Sequence, residues 1–174
     1  MTGSGKWAGV LPRAAVAVGL ALLTAGCSPP EHPLVAVGRA PDGDIRALLR
    51  PCSDEDAFGE VSLLRDEDKG GRATSTDLGA WTARPPGSVT GEQEFSLFRP
   101  PPDWAGKARP ATGLASGPHY YLSFDVEKSN GAVQYEAITS FTSATLAKLK
   151  PGQWWVAGEA MSRAEFRKQA DDAC

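Results

Sequence analysis

Alternating apolar and polar residues form the clearest pattern in the chain. Apolar side chains occupy every second position in 120–126, and the same period of two recurs through most of 133–141. The tetrapeptide Lys128-Ser-Asn-Gly131 lies between the two runs, and Asn-Gly favours tight hairpin turns because both residues tolerate a positive φ. The pattern therefore predicts an antiparallel hairpin of residues 119–127 and 132–141.

Shorter strands are predicted elsewhere in the chain. Residues 34–37 and 45–49 flank Ala40-Pro-Asp-Gly43, a turn sequence in which Pro presets φ and Gly accepts a positive φ. A one-turn helix after Thr142 or Ser143 is predicted to follow the later hairpin. The remaining predicted elements are strands at 59–64, around 78–81, around 94–98 and at 154–156, and a turn at 150–153.

A helix is predicted at the C-terminus. Ser162 and Glu165 have the spacing of a capping box, and Phe166, Ala170 and Cys174 recur every four residues on one helical face. A helix that turns Phe166 towards the core would carry Cys174 the same way. Together the elements predict a mainly β fold, a single antiparallel β-rich, sandwich-like domain over residues 34–174 with a short C-terminal helix.

The first 26 residues have the pattern of a secretory signal peptide. Lys6 and Arg13 precede an apolar run at 14–25, and small residues follow it. The run has 12 residues, whereas a membrane-spanning helix needs roughly 20. Residues 1–26 are therefore predicted to be removed, and no other stretch is apolar enough to span a bilayer.

The end of this leader, Leu23-Thr-Ala-Gly-Cys27, resembles the lipobox of bacterial lipoproteins. The chain also resembles small uncharacterised lipoproteins of high-G+C Gram-positive bacteria. The resemblance implies that Cys27 carries diacylglycerol, with fatty acyl chains such as palmitate, and becomes the first residue of the mature protein. It also implies a location at the outer, extracytoplasmic face of the cell membrane. Residues 27–33 are proline-rich and are predicted to form a short extended tether.

The other two cysteines are predicted to pair. With Cys27 assigned to lipid by the resemblance, Cys52 and Cys174 remain, and free thiols are rare in exported proteins. We therefore expect a Cys52–Cys174 disulfide. A redox or nucleophilic cysteine is the alternative, although no Cys-x-x-Cys motif is present.

Composition and charge narrow the class of partner. The chain is 41% hydrophobic and 22% charged, which excludes a disordered or collagen-like chain. Its net charge of −3 becomes two units more negative when Lys6 and Arg13 leave with the leader. An acidic surface argues against nucleic-acid binding, since phosphate affinity comes from Lys and Arg.

No catalytic or cofactor motif is found. The sequence has no Gly-x-Ser-x-Gly elbow and no His-Glu-x-x-His, and His119 is the only histidine outside the predicted tether. Residues 66–77 carry acids at positions 1, 3 and 12 of a calcium-type loop, but Gly70 replaces the oxygen ligand at position 5. We interpret this segment as a solvated acidic turn, with a calcium site as the alternative.

Three residues are candidates for ligand binding: Asp103, Trp104 and Trp155. Asp103 adjoins Trp104 in a proline-rich loop at 99–107, where Trp104 either covers the core or presents its ring to a sugar. Trp154 and Trp155 are predicted to point to opposite faces of a strand, so one ring is expected in the core and the other at an interface. We take Trp155 as the interface residue.

The functional hypothesis is a membrane-anchored, non-enzymatic binding module of the cell envelope, with an envelope protein or a glycan as partner. It follows from the implied anchor, the acidic surface and the missing catalytic motifs. The alternative is a small envelope hydrolase that uses carboxylates near Trp104, because catalytic carboxylate pairs converge in space rather than in sequence.

Overall fold

A computed structural model describes residues 31–66, 81–87, 89–108, 113–128 and 130–174. The predicted leader, Cys27 and residues 67–77 of the acidic segment lie outside this range. The described part is mainly β, with strands β1 (Glu31–His32), β2 (Val35–Arg39), β3 (Ile45–Leu49), β4 (Phe58–Asp66), β5 (Trp81–Arg84), β6 (Gln93–Ser96), β7 (Ala105–Ala108), β8 (His119–Glu127), β9 (Val133–Phe141), β10 (Gln153–Val156) and β11 (Glu159–Ser162), and helices α1 (Ser143–Ala147) and α2 (Arg163–Ala173).

The described strands form two sheets. One has six strands in the order β1-β9-β8-β4-β5-β7, and the other has five in the order β11-β10-β2-β3-β6. Neighbouring strands are antiparallel except for β1, which runs parallel to β9. The predicted antiparallel, sandwich-like fold with a C-terminal helix is therefore confirmed.

A single large core lies between the sheets. The six-stranded sheet contributes aromatic rings such as Trp81 and Phe124, and the five-stranded sheet contributes Val37, Leu49 and Phe95. Each such side chain stabilises the fold by about 1.5–3 kcal/mol relative to an exposed position. The Trp81 indole N–H also donates a hydrogen bond to the Leu97 carbonyl at 2.8 Å, which leaves this buried polar group satisfied.

The five-stranded sheet is covered on its outer face as well. Ala36, Leu48, Val156 and Phe166 form a second buried cluster under α2. Strands β2 and β3 are therefore enclosed on both faces, which explains the continuous apolar run at 34–37 where alternation would mark a half-exposed strand. The described residues form three layers: the six-stranded sheet, the five-stranded sheet and α2.

The predicted hairpins and caps are confirmed. Strands β2 and β3 pair across the 40–43 turn, and β8 pairs with β9 across a turn in which Gly131 has a φ of 78°. Thr142 caps α1 by accepting the Thr145 N–H at 3.1 Å. At α2 the Ser162 hydroxyl accepts the Glu165 N–H, while the Glu165 carboxylate accepts the Ser162 N–H at 2.7 Å, as a capping box requires.

Three elements differ from the sequence prediction. The last residues of the predicted tether belong to the domain, because Glu31–His32 form β1. The predicted loop at 99–107 ends early, since Ala105–Ala108 form β7 against β5. Strand β11 (Glu159–Ser162) follows β10 after a turn in which Ala157 has a φ of 45°.

Candidate functional site

The Cys52–Cys174 disulfide is present and fixes the C-terminus to the loop after β3. The two Cα atoms lie 5.4 Å apart across a sequence separation of 122. Phe166 and Ala170 are buried on one face of α2, so the helical spacing carries Cys174 to the position predicted from it. The disulfide is a structural element at one end of the sandwich.

Tyr135 and His32 complete this end of the molecule. The Tyr135 hydroxyl donates to Asp56 Oδ2 at 2.8 Å and accepts the Cys52 N–H at 2.9 Å. Burial, together with the neighbouring Asp56 carboxylate, raises the pKa of Tyr135 above its usual value of 10. The His32 ring packs edge-on against Tyr135, and its Nδ1 lies 2.9 Å from the Ala173 carbonyl. The entry of the chain, its last turn and the disulfide are therefore tied together.

Trp104 belongs to the core and is not available for stacking. It is 7% exposed and packs edge-to-face on Phe95, with ring centroids 5.0 Å apart. Of its two predicted roles, the structure assigns it the coverage of the core. Asp103 beside it is exposed in the turn before β7.

The two adjacent tryptophans lie on opposite faces of β10, and both are partly buried. Trp155 packs against the main core, and its indole N–H donates to the Ser140 carbonyl at 2.8 Å. Trp154 points to the outer face, where it lines an open cleft. Both rings are partly exposed, so the interface role of Trp155 stays a prediction, and Trp154 is the ring that lines the cleft.

This cleft lies on the outer face of the five-stranded sheet, beside the β2–β3 turn. We call it the Trp154 cleft; it has a volume of about 430 Å³. Its lining residues are Arg39, Ala40, Pro41, Asp42, Arg46, Glu94, Gly152, Gln153 and Trp154. The volume falls within the range of roughly 300–1,000 Å³ that is common for small-molecule sites.

The position of the Trp154 ring depends on a glycine. Trp154 pairs with Gly38 across β10 and β2, and a Cβ at residue 38 would lie 2.8 Å from Trp154 Cε3. That distance is shorter than a real carbon–carbon contact. A side chain at residue 38 would therefore push the indole out of its present place.

A chain of ion pairs runs from the cleft to α2. Glu94 accepts from Arg46 at 3.3 Å and from Arg163 at 2.6 Å. Arg163 also pairs with Glu92, which accepts two hydrogen bonds from Arg167 at 2.7 and 2.8 Å. The hydrogen bond from Arg167, aided by Arg163, lowers the pKa of Glu92 from 4.5 to about 2.

His119 is exposed at the start of β8 and pairs with Asp66 in the sheet register. Across the described ranges, no three His, Cys, Asp or Glu side chains are grouped as a metal site would require. No helix of the described segments is long and apolar enough to cross a membrane.

Comparison with protein-family models, with curated proteins and with solved structures found no match for this chain. Sequence reasoning missed the Trp154 cleft because its residues come from four separate segments. The one signal that could have indicated it is the small residue Gly38 inside an otherwise bulky strand.

Proposed function

We propose that the protein is a lipid-anchored, extracytoplasmic binding module of the cell envelope, and that the Trp154 cleft is its binding surface. The observation that carries the proposal is the position of this cleft relative to the point where the chain enters the domain. The lipobox-like sequence supplies the anchor at Cys27, and the cleft supplies a concave surface with polar and aromatic groups.

The attachment point is close to the domain. Strand β1 begins at Glu31, four residues after Cys27. Four residues span at most about 14 Å when fully extended. An anchored domain is therefore held against the bilayer with the start of β1 towards the lipid.

The cleft borders the Arg39 end of β2, whereas the chain enters the domain at the Val35 end of this strand. Strand β1 runs parallel to β9, and β2 then continues from Val35 to Arg39 before the turn that borders the cleft. The length of β2 alone corresponds to about 13 Å at 3.3 Å per residue. The anchor thus turns the cleft away from the membrane, towards the wall or towards other envelope components.

A hydrolase is less well supported. The buried Trp104 removes the exposed aromatic platform beside Asp103 on which that alternative depended. A binding function needs only the cleft and its orientation.

The test of the proposed function is membrane fractionation of the full chain and of a Cys27→Ser variant. We expect the unchanged protein in the membrane fraction and the variant in the soluble exported fraction. A Cys52→Ser/Cys174→Ser double variant is the matched control, since it removes the other two cysteines and keeps the anchor. Equal membrane association of the Cys27→Ser variant would contradict lipid anchoring.

A further inference from the structure

The Trp154 cleft combines an aromatic platform with hydrogen-bonding groups of both polarities. Trp154 lies over Gly38, and nothing within 4 Å would meet a Cβ on Gly152, so the cleft lining has open space at Gly152. Arginine side chains donate hydrogen bonds only, whereas ionised carboxylates accept only. The cleft therefore offers both donors and acceptors around one indole.

The charges of the cleft are balanced. Arg39 and Arg46 face Asp42 and Glu94 within the same lining. Arg46 is already paired with Glu94, and Asp42 Oδ1 accepts the Asp44 N–H at 3.0 Å. The Arg39 side chain is exposed and, in the described part of the chain, makes no ion pair or hydrogen bond. An anionic ligand would meet two carboxylates and a cationic ligand two guanidinium groups, so the balance favours a neutral polar ligand.

We infer that the Trp154 cleft binds a neutral glycan, with one pyranose ring stacked on the Trp154 indole and its hydroxyls bonded to Arg39 and Asp42. Sugar hydroxyls both donate and accept, and the C–H face of a pyranose is apolar. One ring therefore matches the indole and the polar rim together. The volume of about 430 Å³ suits a short saccharide.

This inference rests on the proposed function, because the anchor would turn the cleft towards the glycans of the envelope. The cleft also differs from a closed catalytic pocket. Its two carboxylates are engaged by Arg46, Arg163 and the Asp44 N–H, so neither is set apart as a proton donor. The geometry fits recognition of the sugar without cleavage.

The test is titration of the full chain with neutral and charged oligosaccharides, followed by tryptophan fluorescence and by ligand-observed NMR. The probes are N-acetylglucosamine tetramer and cellotetraose as neutral chains, and tetragalacturonate as an acidic one. We expect a neutral chain to bind and tetragalacturonate to bind more weakly. The Trp154→Ala variant should lose about tenfold in affinity, and Trp154→Phe less, in keeping with a smaller stacking surface.

Arg39→Ala is the second variant, because its exposed side chain makes no hydrogen bond or ion pair in the described part of the chain. It should weaken binding with an unchanged melting temperature, which separates loss of a contact from loss of structure. Lys148→Ala, at an exposed position directly after α1, is the control and should bind as the unchanged protein does.

Absence of binding to either neutral chain would overturn the glycan inference while leaving the anchoring test of the proposed function intact. Stronger binding of the acidic chain would overturn the neutral-ligand assignment. If the Trp154→Ala and Arg39→Ala variants both bound as tightly as the unchanged protein, the binding site would lie elsewhere, and the glycan inference would also be overturned.

Discussion

The hydroxyl of Tyr135 holds the backbone of Cys52 in place by accepting its N–H at 2.9 Å. The same hydroxyl donates to Asp56, so one side chain of β9 fixes the loop that carries the disulfide. The order of this loop therefore depends on a tyrosine 83 residues away in sequence as well as on the covalent bond.

Replacing Tyr135 with Phe should destabilise this loop without creating a cavity in the core. The ring stays, but the Cys52 N–H loses its acceptor and Asp56 loses one of its two donors, at a cost of about 1–2 kcal/mol in the free energy of unfolding. Chemical denaturation measures the difference. Tyr121→Phe is the control, since its partly exposed side chain lies on the same hairpin. Equal stability of both variants would mean that the hydrogen bonds of Tyr135 contribute nothing.

Reduction of the disulfide should destabilise the fold substantially. The bond closes a segment of 122 residues, and removal of a long-loop disulfide typically costs about 2–4 kcal/mol. The Cys52→Ser/Cys174→Ser variant should match the reduced protein in denaturant titrations. Reductant should then lower the stability of the unchanged protein and leave that of the variant unaffected. If reductant lowered the stability of both proteins, the loss would have a cause other than the disulfide.

Gly38→Ala should displace the Trp154 ring. The added Cβ would lie within 3.1 Å of the Gln153 carbonyl oxygen as well as against the indole, so the strand cannot relieve it by a ring movement alone. We expect the free energy of unfolding to fall by about 1–3 kcal/mol and the near-ultraviolet circular dichroism spectrum to change. Gly87→Ala is the control because its Cβ would meet nothing within 4 Å. An unchanged spectrum for Gly38→Ala would contradict the described packing.

Glu92→Gln should destabilise the protein in a pH-dependent manner. The carboxylate is held ionised by Arg167 and Arg163, which lower its pKa from 4.5 to about 2. A carboxylate whose pKa is lower in the folded than in the unfolded state stabilises the fold at pH values above its unfolded-state pKa. This stabilisation disappears as the pH falls through its folded-state pKa. The variant should therefore be about 1–2 kcal/mol less stable at neutral pH. The loss is modest because ion pairs in a partly exposed network are weaker than buried ones.

The same difference should shrink as the pH falls from about 4.5 to about 2. Glu159→Gln, an exposed residue of β11, is the control and should show neither effect. A stability difference that stays constant down to pH 2 would contradict the ion-pair explanation.

Much of the fold could be predicted where local sequence carries its own signal. Asn130-Gly131, the capping box at Ser162 and the period of two in β8 and β9 each specify structure within a few residues. The three missed strands lack such signals. Strand β1 has only two residues in a proline-rich segment, β7 is Ala-Gly-Lys-Ala, and β11 follows an Ala157-Gly158 turn without the usual Asn or Asp.

The candidate site depended more on tertiary structure than on local pattern. Period two placed Trp154 and Trp155 on opposite faces, but it could not say which face remains open, because the core covers one face of the sheet and α2 covers part of the other. The Glu92 network joins residues more than 70 positions apart. Such charges look like solvated surface groups until the sheet and the helix bring them together.

The most direct measurement of the central claim is the intact mass of the full-length gene product after extraction from membranes, before and after reduction. Anchoring at Cys27 predicts a chain that begins at this residue and carries an acylated glyceryl group, with a gain of only two hydrogens when Cys52 and Cys174 are reduced. A mature protein with an unmodified thiol at Cys27 would contradict the anchor, and with it the orientation of the Trp154 cleft away from the bilayer.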